Sequence, residues 1–152
     1  MINAFKKACI TNPGKSLKLL LVGSGTMMEE CKNLVKELDL DDKVIFVGKV
    51  APINVPDYHN MIDIYTNISV LDSESFGVSV VEAMACGKPV VVTNVGGLPE
   101  VVTHNETGLI IEKENADEAA AAIQRLLDDK NLVAHLVKNA MQHVHKEYSW
   151  DN

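Results

Sequence analysis

Short runs dominated by β-branched and aliphatic residues recur along this chain: LKLLLVG from Leu17, KVIFVG from Lys43, DIYTNI from Asp63, PVVVT from Pro89 and GLII from Gly108. Helix-period segments separate them. Such alternation specifies an α/β fold, a Rossmann-like parallel sheet covered by helices, because parallel neighbours need long crossovers that helices supply. Between the first two runs, Met27, Cys31, Leu34, Val35 and Leu38 recur at helical spacing, and Thr26 with Glu29 forms a T-x-x-E start signal. Late in the chain, Asn115 and Glu118 are placed to cap a helix that turns Ile123, Leu126 and Leu127 inward. A second helix follows, carrying Val133, Leu136, Val137, Ala140 and Val144 on one face. With 47% hydrophobic residues and no internal repeat, low-complexity tract or Pro- or Ser-rich linker, residues 1–152 read as a single domain with a real core.

Composition excludes several classes of function. A formal charge of -7 argues against nucleic-acid binding, whose affinity comes from clustered Lys and Arg releasing counterions, so any phosphate must be held locally. Cys9, Cys31 and Cys86 are far apart and make no C-x-x-C, which points to neither a zinc cage nor a disulfide framework and fits a reducing cytoplasm. No apolar run reaches the ~20 residues of a transmembrane helix, and MINAFKKACI lacks the apolar core of a signal peptide.

The stretch ESFGVSVVEAMACGKPVVV, from Glu74, lies between the third and fourth strands and reads as a loop feeding a helix near Gly77. Such a start leaves the amides of Phe76, Gly77, Val78 and Ser79 unpaired, at the positive end of the helix dipole, where an anion can bind. Gly77 is expected to let the anion approach the backbone. Val80, Val81, Met84 and Ala85 can face neighbouring elements, while Glu82 lies about one turn in, ~6 Å from the start at 1.5 Å per residue. Glu74 stays in the loop. The two carboxylates thus bracket an anion site, and each can accept hydrogen bonds from hydroxyls on either side of a phosphate, the layout of a nucleotide sugar. A single Glu near a helix start is more commonly a dipole stabiliser than a ligand.

The pair and its surroundings resemble the E-x-x-x-x-x-x-x-E signature of retaining glycosyltransferases with the two-domain GT-B fold, the group 1 type. Glu74 and Glu82 match the spacing, and the resemblance runs through FGVSVVEAMACGKPVVVTNVGGLPEVV into GLII and, more loosely, from LLLVGSG to YSWDN. It implies the donor-binding, C-terminal half of the fold. It further implies that Glu74, the catalytic candidate, contacts the transferred sugar, and that amides around Ser75, Phe76 and Gly77 hold sugar and phosphate. Val78 and Ser79 would meet the diphosphate and Glu82 the ribose hydroxyls. Gly23 and Gly25 in VGSGTMM would flank the base, although the third glycine of G-x-G-x-x-G is Met28 and a tight strand-to-helix turn explains the pair as well. Ser75 stands where many members have glycine. The implied substrate is a nucleoside-diphosphate hexose, used with neither cofactor nor metal, for transfer to a glycan or lipid-linked acceptor in polysaccharide biosynthesis.

The family also places an Arg and a Lys on the donor diphosphate from a strand and turn with no counterpart here; the one arginine is Arg125, on a late helix. The chain therefore reads as clipped at both ends, lacking the N-terminal acceptor domain, inactive alone, and exposing a sheet edge through which two copies could pair. A cytoplasmic location is expected, with membrane association open to the whole protein. The alternative is a stand-alone nucleotide-binding or interaction module on the same fold. The NVGGLPEVV segment reads as a turn and short helix, and His143, His145, Lys88 and His104 read as surface residues.

Overall fold

The computed structural model describes residues 1–70 and 77–148. The chain divides into two compact units, Met1–Val55 and Pro56–Asn152, taken here in turn.

In the first unit, helix α1 (Ile2–Thr11) precedes strand β1 (Leu19–Val22), helix α2 (Met28–Glu37) and strand β2 (Val44–Gly48), with a single 3-10 turn at Pro52–Asn54. The strands pair in parallel, Leu19 opposite Val44, as the βαβ pattern requires. The core is made of Ile2, Phe5, Leu19, Val35, Leu40 and Val44, all buried, with Cys31 and Leu34 packed against it. Helix α2 begins later than the T-x-x-E signal implies: its N-cap is Met27, with no side-chain cap, and Glu29 pairs instead with Lys32 at 3.0 Å on the surface. The strand-to-helix turn is also real. Gly23 continues the ladder through its N–H to the Gly48 carbonyl at 2.8 Å, and Gly25 O accepts from Met28 N–H at 3.2 Å before the helix starts.

The second unit contains α3 (Val55–Met61, whose first residue closes the first unit), β3 (Tyr65–Asn67), α4 (Val78–Ala85), β4 (Val90–Thr93), α5 (Leu98–Val101), β5 (Leu109–Ile111), α6 (Ala116–Asp128) and α7 (Lys130–Tyr148). Its strands form a parallel sheet in the order β3-β4-β5. The valine block is the central strand. Val90, Val91, Val92 and Thr93 are all fully buried, as expected where helices cover both faces and no side of the strand meets water.

Helix α4 contributes Val80, Ala83 and Met84 to the core beside Leu98, Val101, Val102 and Ala140. Ala83 takes the inward position expected of Ala85, which is exposed, since residues three and four apart share a helix face. The expected cap of α6 is present: Asn115 Oδ1 accepts from Glu118 N–H at 3.0 Å, and Asn115 Nδ2 donates to Glu118 Oε2 at 3.2 Å. Ile123 and Leu126 are buried beneath it. Helix α7 buries Leu136 and Ala140 and packs on both α4 and α6. His143 departs from its expected surface role, being half-buried with its ring edge-on to Tyr148 at 5.8 Å. His104, although exposed, accepts the Ile110 N–H through Nδ1 at 2.9 Å and so finishes the β5 edge.

Candidate functional site

The start of α4 is built around Gly77, which adopts a left-handed backbone at φ 62° and ψ 43° as the N-cap. Its carbonyl accepts from Val80 N–H at 2.8 Å and Val81 N–H at 3.1 Å, closing the first turn. The N–H groups of Gly77, Val78 and Ser79 have no hydrogen-bond partner among the described residues. No acidic residue occupies the first turn, so nothing in α4 itself neutralises the positive end of its dipole there.

The fold gives a glycine at position 77 a reason of its own. The glycine is buried, and a Cβ at this position would lie 2.7 Å from Leu98 Cδ2, so a larger residue must both move that side chain and adopt the positive φ. Val78, by contrast, is 61% exposed at the helix start.

Ser79 is held by the sheet. The Tyr65 hydroxyl, on β3, donates to Ser79 Oγ at 2.8 Å, which leaves the serine's own proton to donate elsewhere. Glu82 lies one turn further, with its side chain 49% exposed. Its Oε2 is 3.7 Å from Nε2 of His59 on α3, beyond hydrogen-bond length. The His59 side chain is only 7% exposed. Its ring also sits against Tyr65, with centroids 5.3 Å apart. Burial pushes the His59 pKa below the ordinary imidazole value, the Glu82 carboxylate pulls the other way, and Lys88 adds a smaller lowering effect. His59, Tyr65, Ser79 and Glu82 therefore form one polar cluster behind the helix start.

Of the residues singled out from sequence, Gly77, Val78, Ser79 and Glu82 come together here. Glu74, Ser75 and Phe76 lie outside the described residues. The segment leading to them is anchored by fully buried Thr93, whose Oγ1 donates to the Ser69 carbonyl at 2.7 Å. Gly23 and Gly25 belong to the first unit, in the β1–α2 turn. His59 and Tyr65 were missed because no spacing links them to the E-x-x-x-x-x-x-x-E pair; the only sequence hint was a His and a Tyr flanking the start of the third strand.

Arg125 is directed elsewhere, its guanidinium donating to Asn105 Oδ1 at 3.1 Å. Among the described residues no cluster of three or more His, Cys, Asp or Glu could hold a metal ion, and no helix is long and apolar enough to cross a membrane. The N-terminus of α4 can receive an anion, the Ser79 hydroxyl can donate to it, and Glu82 can accept from a vicinal diol about one turn away.

Comparison with known proteins identifies the family and the fold. The family described as glycosyl transferases group 1 matches residues 1–143, and the chain belongs to that family. A Mycobacterium tuberculosis GDP-mannose-dependent alpha-(1-6)-phosphatidylinositol monomannoside mannosyltransferase is 33% identical over 88% of this chain and 36% of its own length. Among solved structures, Anabaena HepE in complex with UDP-glucose superposes with a TM-score of 0.85 and 28% identity, over 96% of this chain and 40% of that one. The C-terminal domain of the group 1 protein LpcC from Francisella tularensis superposes with a TM-score of 0.82 and 26% identity, over 98% of this chain and 80% of that one. The fold is thus that of a GT-B half, and the chain spans about a third of the length of the curated relatives it matches.

Proposed function

We propose that this member of the glycosyl transferases group 1 family is the donor-binding half of a retaining hexosyltransferase that uses a nucleoside-diphosphate sugar. The observation that carries the reading is the helix start at Gly77: three amides without a partner among the described residues, no acidic residue in the first turn, Ser79 held in place by Tyr65 and Glu82 one turn in. A carboxylate that only complemented the dipole would sit in the first turn. Glu82 lies beyond it, at the distance from a bound phosphate where a ribose diol would be met.

In this reading the diphosphate meets the amides of Gly77, Val78 and Ser79 and the Ser79 hydroxyl. Glu82 accepts from the ribose and Glu74 contacts the sugar, while amides around Ser75 and Phe76 complete the sugar and phosphate contacts. Amides and the helix dipole do the work of a cation, so EDTA is expected to leave nucleotide affinity unchanged. The acceptor is a glycan or a lipid-linked sugar, and support for the lipid option comes from the phosphatidylinositol monomannoside named for the mycobacterial relative.

Transfer requires stabilisation of charge on the departing diphosphate in a closed, water-poor cleft. The groups above supply part of that stabilisation. This chain alone is therefore expected to bind donor weakly, near millimolar or roughly -4 kcal/mol, and to transfer no sugar. The test is an assay with a panel of nucleotide sugars and acceptors, run beside a version extended upstream through an opposing acceptor domain. Turnover confined to the longer chain supports the reading, and turnover by these residues alone overturns it.

A further inference from the structure

We propose that His59 is a positioning residue for Glu82, orienting its carboxylate for the ribose diol; this rests on the donor-binding reading above. The geometry is specific. His59 is 5% exposed, its Nε2 has no hydrogen-bond partner among the described residues, and that atom faces Glu82 Oε2 at 3.7 Å. A buried polar atom without a partner costs free energy that a satisfied one does not, so an otherwise idle imidazole here needs a reason. Hydrophobic residues of similar size would fill the same space.

The proton must lie on Nε2. With the proton on Nδ1 instead, the Nε2 lone pair would point at the carboxylate and repel it. Burial keeps the ring neutral near pH 7, so it presents an N–H dipole and no charge. The ring is also fixed in place, because it packs against Tyr65, which is itself tied to Ser79. The Glu82 side chain is half-exposed and has room to turn. A diol that engages the outer oxygen of Glu82 leaves Oε2 facing His59, and the N–H then completes a charge-assisted hydrogen bond that the free protein lacks. His59 thus gains its partner only when the diol is bound, which couples it to ribose recognition and leaves phosphate binding untouched. Lys88, the other charged group acting on His59, donates to the Asn60 carbonyl at 3.1 Å and does not compete for Glu82.

The experiment is calorimetric titration of this protein with UDP, GDP and ADP, followed by the 2′,3′-dideoxy analogue of whichever binds tightest. Wild type is compared with His59→Phe, His59→Gln and Glu82→Gln. His59→Phe is expected to weaken the ribonucleotide roughly threefold to tenfold while leaving the dideoxy analogue unchanged. His59→Gln, which keeps an N–H donor at similar reach, is expected to restore most of the ribonucleotide preference. A ribose preference in wild type that survives in His59→Phe overturns the role of His59, and so does one that His59→Gln fails to restore while folding normally by circular dichroism. Absence of a ribose preference in wild type, with Glu82→Gln indistinguishable from it, instead overturns the assignment of Glu82 on which the proposal rests.

Discussion

The side chain of Leu98 fills the space that a Cβ on Gly77 would occupy, with Cδ2 only 2.7 Å from that position. Two constraints therefore meet at the start of α4, the left-handed φ of 62° and the contact with α5. An alanine at this position carries a left-handed cost of about 1–2 kcal/mol and must also displace a leucine that is fully buried. Gly77→Ala is expected to lower stability by roughly 2–5 kcal/mol, the sum of that cost and an overpacking penalty of about 1–3 kcal/mol. Urea unfolding measures this directly, and a loss under 1 kcal/mol would show that the loop relaxes without strain.

The bond from Tyr65 to Ser79 separates stability from binding. Tyr65→Phe removes the donor but keeps the ring against His59, so the expected destabilisation is about 1 kcal/mol. Ser79→Ala removes the hydroxyl proposed to meet the diphosphate, and nucleoside-diphosphate affinity should fall further than it does in Tyr65→Phe. Equal affinities for the two variants and wild type would take Ser79 out of the site.

His59 also sets a pH dependence. Its folded pKa is lowered chiefly by burial, with Glu82 opposing, so below about pH 6.5 the unfolded chain takes up a proton more readily than the folded one. Stability is fully present above that value and falls as pH drops through the lowered folded pKa. Melting temperatures between pH 7.5 and 5 should therefore decline more steeply for wild type than for His59→Gln, which has no titrating ring. Parallel curves would mean that His59 titrates alike in both states.

The sequence was most informative where burial imposes a pattern. PVVVT is readable as a strand because a central parallel strand buried on both faces has no place for polar residues, and Asn115 is readable as a cap because its partner Glu118 lies in the same turn. Thr26 and Glu29 carry the same local signal, yet the chain delays the α2 start until Met28. A capping box states a preference of about 1 kcal/mol, which tertiary context can override. In the candidate site, Gly77, Ser79 and Glu82 were legible because they share one helix and its cap. His59 and Tyr65 were not, since their contacts with Glu82 and Ser79 exist only after α3 and β3 pack beside α4. The packing constraint on Gly77 was likewise hidden, because Leu98 approaches from a distant part of the chain.

In the proposed site, Glu82 reads the ribose of a nucleoside diphosphate held at the start of α4. Calorimetric titration of wild type and Glu82→Ala with UDP, GDP and ADP tests it most directly. Wild type is expected to prefer one of the three. Glu82→Ala is expected to bind that nucleotide at least about tenfold more weakly, since a hydrogen bond to a charged acceptor contributes about 1.5–3 kcal/mol. Equal affinity of the variant and wild type, with no preference among the nucleotides, would contradict it and favour an interaction module built on the same fold.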